Sequence, residues 1–138
     1  MRYLITGVDA DGRSCVVEEK TFDHAVDAVT VVPFFATAAA PPPPRPEGSG
    51  ESLDLGVDPG MAQWMIVQWS PHATTAFHHT DTVDFDTCLS GRLWIILHDG
   101  EHLLEPGDCV LVNGVDHGWR TGDERATSGV VLLGSARR

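Results

Sequence analysis

From Asp58 onward the sequence is interrupted at short, even intervals by residues that make turns. Pro71 closes MAQWMIVQWS, Ser90–Gly91 precedes RLWIILH, and Asp99–Gly100 leads into EHLLE. Pro106–Gly107–Asp108 leads into CVLV, and NGVDHG separates that run from WR and a last apolar run, SGVVLLG. Asp-Gly between apolar runs is a tight-hairpin signal, and proline ends a ladder because it has no N–H to donate. No amphipathic helix is evident in this stretch. Short strands with turn chemistry between them predict an all-β sandwich or barrel. RLWIILH is apolar almost throughout, as expected of a strand buried on both faces.

The first part of the chain reads differently. RYLITGV and SCVVEE are β-rich, and DADGR between them is a turn, so residues 1–37 predict an N-terminal β-hairpin and an extension packed on the barrel. Residues 38–57 contain the run Pro41–Pro44 and a Gly-Ser piece, which forbid a regular ladder or helix. They form an extended arm: either a loose surface loop, or a segment that covers the barrel mouth or crosses to a second subunit. The barrel itself is assigned to residues 58–138.

Charge narrows the partners. The formal net charge is −11 and Lys20 is the one lysine, so nucleic acid and anionic membrane surfaces are poor partners. No apolar stretch approaches the roughly 20 residues that span a bilayer. MRYLITGVDADG shows no secretory pattern. Cys15, Cys88 and Cys109 are far apart in sequence and have no paired-ligand spacing. They read as small buried hydrophobes in a reducing cytoplasm, the expected location.

The chemistry concentrates in FHHTDTVDFDTCLSG, residues 77–91. On a strand His78, Thr80, Thr82, Asp84, Asp86 and Cys88 share one face, and His79, Val83, Phe85 and Leu89 the other. Alternation alone is compatible with a solvated strand or with the wall of a metal site.

With its downstream turns, this stretch resembles the cupin superfamily. Cupins carry a first motif G-x5-H-x-H-x3-4-E-x6-G and a second with Pro-Gly-Asp-like turns and a later histidine. Counting back from Gly91, the acidic position falls on Asp84, and the shorter spacing puts the two motif histidines at His78 and Thr80. The second-motif histidine is His117. Asp84 stands for Glu, Thr80 for His, and Thr121 for the Asn that often follows. The string H-x-T-D-T-V-D-F with LSG resembles a subgroup of small single-domain cupins in which the threonine is usual. The resemblance covers roughly residues 58–133. It implies a double-stranded β-helix, or jelly-roll, barrel and a homodimer, to which the apolar RLWIILH and the hairpin would also contribute.

The implied ligand set is His78, Asp84 and His117. Two imidazoles and a carboxylate suit one divalent Fe, Zn, Mn or Ni ion with positions left open. His79 is the alternative first-motif ligand: the longer spacing reaches it but pairs it with Phe77, and parity turns it away unless a bulge rotates it inward. Asp81 or Asp86 could orient an imidazole. Thr80 and Thr82 are candidate proton relays. Trp64, Asp86, Cys88 and Trp119 are candidate pocket residues, Trp119 because it lies two positions past His117. Arg92 and Arg120 suit either a substrate carboxylate or surface ion pairs. His98 and His102 read as solvated turn residues. His72 reads as a surface loop residue, and His24 has no partner motif.

Three functions fit this reading. One is a metal-dependent enzyme acting on a carbonyl, enol or carboxylate compound as an oxygenase, decarboxylase, isomerase or cyclase. The second is a module that binds a small molecule without turnover, and the third a metal-free structural barrel.

Overall fold

The computed structural model describes residues 1–22, 31, 33, 35–44, 46–48 and 50–136. His24 lies outside them. The described chain is all-β: β1 (Arg2–Val8), β2 (Ser14–Thr21), β3 (Glu51–Ser52), β4 (Ala62–Trp69), β5 (His78–His79), β6 (Thr82–Ser90), β7 (Leu93–Leu97), β8 (Gly100–Leu104), β9 (Cys109–Asn113), β10 (Gly118–Thr121) and β11 (Ala126–Gly134). Among the described residues no helix is long and apolar enough to cross a membrane.

The strands build a jelly-roll barrel. One sheet has the order β2-β1-β9-β6-β11-β4 and a second the order β10-β7-β8, while β3 and β5 form a short parallel pair. The barrel core lies between the two larger sheets. Leu4, Cys88, Val110 and Val112 come from the first, and Leu93, Ile95, Leu97, Leu104 and Trp119 from the second. The tight turn at Asp99–Gly100 sets β7 against β8 in antiparallel register, from Leu93↔Leu104 to Leu97↔Gly100. Gly91 turns with φ 72°, and its α-carbon packs so closely on the backbone of Arg125 and Ala126 that a β-carbon has no room.

The hairpin is not set apart from the barrel. β1 pairs antiparallel with β2 and parallel with β9, through Tyr3↔Cys109, Leu4↔Val110 and Ile5↔Leu111. The large sheet therefore buries part of both faces. Its outer side carries a second cluster of Tyr3, Val83 and Leu111, covered by Phe22, Phe35 and Ala40. Farther along the same side, Trp64, Ile66 and Leu89 remain exposed.

The arm is ordered against the barrel where it is described. Pro43 is buried and packs on Gly114, and the Ser135 hydroxyl donates to the Pro41 carbonyl. Beyond it β3 runs parallel to β5, in the register Glu51↔His78 and Ser52↔His79. The arm thus follows the first of the two covering alternatives within one chain: it lies across one end of the barrel.

Core and outer-face isoleucines separate by energy. Ile95 is wholly buried while Ile66 is 54% exposed. Ile95→Ala is expected to cost about 3 kcal/mol and Ile66→Ala under about 1 kcal/mol, read from urea denaturation midpoints. Equal costs would mean that the sheet faces are wrongly assigned.

Candidate functional site

The site begins with a backbone bridge. His78 N–H donates to the His117 carbonyl at 2.8 Å, and His117 N–H donates to the His78 carbonyl at 2.7 Å. This antiparallel bridge lays the two imidazoles side by side, ring centroids 4.4 Å apart. Each ring is oriented by the carbonyl two residues before it. His78 Nδ1 meets Ala76 O at 2.8 Å, and His117 Nδ1 meets Val115 O at 2.9 Å. A carbonyl oxygen only accepts, so both Nδ1 atoms carry hydrogen, and in a neutral imidazole Nε2 then presents a lone pair. Burial, and then the neighbouring His78, push the His117 imidazole down to about 4, so it is neutral at neutral pH.

β6 supplies the acids. Strand alternation brings Asp84 and Asp86 to the same interior face, both nearly fully buried. Asp84 Oδ1 and Asp86 Oδ2 have no hydrogen-bond partner. Burial pushes the Asp84 carboxyl up to about 7. Burial and then Asp84 hold Asp86 well above the usual carboxylate range. The Thr82 hydroxyl donates to Thr80 Oγ1 at 2.8 Å, which leaves the Thr80 O–H free to donate in turn.

These groups meet in one cavity of about 200 Å³, lined on its polar side by Thr75, His78, Thr80, Asp84, Asp86 and His117. Its other walls are apolar: Met65, Val67 and Trp69 of β4, Val130 and Leu132 of β11, Trp119, and Leu53 and Leu55 from the arm. A second cavity of about 360 Å³ shares Leu53, Leu55 and Thr80 with it and is lined further by Asp54, Asp58, Asp81 and Thr82.

Most of the residues named from the sequence lie here, but not all. His79 faces away from the cavity, its Nδ1 2.9 Å from Asp116 Oδ1. Thr82 shares the face of Asp84 and Asp86 but stands at the first position of β6, where it lines the neighbouring cavity. Cys88 is buried in the barrel core rather than on the cavity wall. Trp64, expected in the pocket, is instead 78% exposed. The two tryptophans of β4 have opposite parity, so only one can point inward, and it is Trp69. Parity could have made that choice, and it also brings in Val67. Leu53 and Leu55 had no such signal, since their placement follows from the path of the arm.

Another expectation is also corrected. His98 is not in a solvated turn: Ser14 N–H donates to its Nδ1 at 3.1 Å and its ring stands edge-on to Phe77. Of the two alternatives for Arg120 the structure has the surface ion pair: it lies over the Trp94 ring and donates to Glu101 at 2.8 Å.

A divalent metal can be tested against this donor set. The imidazole pair fits: both Nδ1 atoms are committed to carbonyls and both Nε2 lone pairs are free, as in metal-ligating histidines. The third expected ligand does not join them. Among the described residues no three His, Cys, Asp or Glu side chains converge into one coordination sphere. Asp84 shares the cavity with the imidazoles, but the Thr80–Asp81 break separates its strand from β5.

Fold and interior together define a barrel of the cupin fold, with a polar-ended, otherwise apolar cavity. The solved structures it is similar to include cupin-superfamily proteins. A Rhizobium leguminosarum bv. viciae 3841 protein of unknown function is 18% identical with a TM-score of 0.50, over 54% of this chain and 72% of that one. A cupin-superfamily sugar phosphate isomerase from Silicibacter pomeroyi DSS-3 is 27% identical with a TM-score of 0.47, over 52% of this chain and 50% of that one. Among curated proteins, Oryzines biosynthesis cluster protein J of Aspergillus oryzae is 35% identical over 63 residues, 45% of this chain and 35% of the relative. Phomopsin biosynthesis cluster protein C' of Diaporthe leptostromiformis is 29% identical over 76 residues, 54% of this chain and 40% of the relative. The match thus spans well under half the length of either curated relative. No family model matches the chain.

The interior groups shape stability against pH. Asp84 and Asp86 keep protons in the folded state that the unfolded chain releases above about pH 4, so each lowers stability as pH rises: Asp84 up to about 7, and Asp86 beyond. His117 opposes them between about 4 and 6.5, where it is neutral when folded and protonated when unfolded. Above pH 6.5 only the carboxyls act. The Tm of the protein in EDTA is therefore expected to fall by on the order of 5 °C from about pH 6.5 to 8.5, and Asp86→Asn to flatten the slope. A Tm that rises over this interval would show the carboxyls to be ionised in the folded interior.

Proposed function

We propose that this chain is an enzyme that moves a proton on a small, largely apolar organic molecule bearing a carbonyl or enol, in an isomerisation or ring closure. One observation carries the reading: two imidazoles with free Nε2 atoms face two buried carboxyls in a single apolar-walled cavity. Apolar walls with a few convergent polar groups are the usual form of a small-molecule site. The curated relatives are proteins of biosynthesis clusters, which supports a small organic substrate.

His78 and His117 would hold a divalent metal ion through Nε2. The ion, when bound, supplies Lewis-acid polarisation of a substrate oxygen. The protein's own groups do the rest. Asp84, titrating near neutrality, takes a proton at Oδ1 from a substrate carbon and returns it elsewhere. Asp86, held protonated, donates to a substrate oxygen, and so does the Thr80 hydroxyl. Met65, Val67, Trp69 and Leu132 exclude water, which strengthens each of these interactions. Among the described residues no lysine or arginine lines the cavity to hold a substrate carboxylate, which favours proton transfer over decarboxylation.

A second reading, ligand capture without turnover, is favoured by one observation: among the described residues no third His, Cys, Asp or Glu side chain converges with the imidazoles.

Reconstitution separates the two. With Zn²⁺ or anaerobic Fe²⁺ the wild type is expected to take up about one equivalent, and His78→Ala and His117→Ala under about a tenth. Asp84→Asn is expected to keep the metal. In D₂O, a panel of ketones and enols followed by NMR should show deuterium entering beside the carbonyl, at least about 100-fold more slowly in Asp84→Asn. Metal uptake with tight binding of panel compounds but no exchange would favour ligand capture.

A further inference from the structure

Each inward imidazole has a polar neighbour in the chain that the proposed chemistry does not use: His79 follows His78, and Asp116 precedes His117. In an antiparallel bridge, the residue after one bridge position faces the residue before the other, and alternation sends both to the opposite side. The same bridge that stacks His78 on His117 inside therefore sets His79 against Asp116 outside. The geometry shows this pairing: His79 Nδ1 donates to Asp116 Oδ1 at 2.9 Å.

The acid of the pair is sealed from water, while His79 is partly exposed. Asp116 is only 1% exposed, and its cover is the arm. Gly48 and Gly50 pass so close that a β-carbon on Gly48 would come within 2.5 Å of Asp116 Oδ2, and one on Gly50 within 2.6 Å of its Cγ. A glycine-only approach to a buried carboxylate places the arm, and the arm then enters β3 beside β5. Glu51 N–H donates to Phe77 O at 3.1 Å and Leu53 N–H to His79 O at 2.9 Å.

β5 is two residues long, so its ladder bonds alone hold its rotation about the strand axis weakly. That rotation decides where the His78 ring points. We propose that His79 and Asp116 are positioning residues. Their outer hydrogen bond fixes the twist of β5 against the segment entering β10, and so keeps the two Nε2 lone pairs side by side in the cavity. The importance of this for function rests on the proposed role of the inner imidazoles; the positioning itself does not.

The test uses metal-free full-length protein with ¹⁵N-labelled histidine and long-range ¹H–¹⁵N spectra. Wild type should show His78 and His117 each as a single Nδ1–H tautomer. His79→Ala should lose the single-tautomer signature of His78, and with it the contact between the two rings. His79→Asn, whose amide nitrogen replaces Nδ1 as donor, should restore both. Should the unpartnered buried carboxylate keep His79→Ala from folding, His79→Ala/Asp116→Ala buries no charge and gives the same readout. An unchanged His78 tautomer and ring contact in a folded Ala variant overturns the proposal, because a merely structural pair would lower Tm without moving either signal. Co²⁺ titration is the separate arm. In wild type that binds Co²⁺, His79→Ala should weaken Kd by about tenfold or more, the scale of lost support for a ligating histidine. Wild type that takes up no Co²⁺ counts against the metal in the proposed function, while the tautomers alone decide the positioning role.

Discussion

Two backbone hydrogen bonds, His78 N–H to His117 O and its reciprocal, underlie the rest of the interior. They join a two-residue strand to the segment that enters β10, and the pairing continues at Thr75 N–H to Trp119 O and at Thr121 N–H to Ala73 O. Because an antiparallel bridge aligns side chains in register, one contact produces two pairs at once. The imidazoles of His78 and His117 lie together inside, and His79 meets Asp116 outside. Each inner ring then turns its Nδ1 to the carbonyl two residues back, which fixes the tautomer. The backbone thus decides which nitrogen faces the cavity before any ligand is considered.

Around this pair the barrel tolerates groups that an ordinary core rejects. Asp84 and Asp86 are buried on one strand face, each with an oxygen that has no partner. Leaving such an atom unsatisfied costs about 1–3 kcal/mol, and keeping the acid protonated avoids the larger cost of burying its charge. The same burial that raises the carboxyls lowers His117. One dry environment therefore brings Asp84 near neutrality, holds Asp86 protonated and keeps His117 uncharged. The arm completes the enclosure with Leu53 and Leu55. The segment that holds those leucines in place is the one that shields Asp116, so closure of the cavity and seating of the imidazoles have a common support.

Much of this was legible in local pattern. Turn chemistry at Asp99–Gly100 and Pro106–Asp108 marked the strand ends, and period-two alternation grouped His78, Thr80, Asp84 and Asp86 while turning His79 away. Where that reading missed, a specific physical feature intervened. Thr82 has the parity of Asp84 but stands at the first position of β6, where it lines the second cavity. Trp64 was taken for a pocket residue on aromatic character, whereas its parity places it outside and Trp69 inside. Cys88 has the right parity but lies far enough along β6 to join the packed core. His98 sits at a turn in sequence, yet its ring is drawn in by Ser14 and Phe77 from distant segments.

The sequence by itself determined the strands, their inward faces and the cupin-like order of its polar residues. These depend on turn propensity and a two-residue repeat, which act within a few positions of the chain. Only the tertiary structure decided that the His78 and His117 rings lie side by side, that Asp84 shares their cavity without joining them in one coordination sphere, that Asp116 takes His79, and that the arm lines the cavity. Those outcomes depend on register between segments remote in sequence and on the close glycine approach of Gly48 and Gly50 to Asp116. No local periodicity carries that information, because register is set by how sheets pack and not by the residues of one strand.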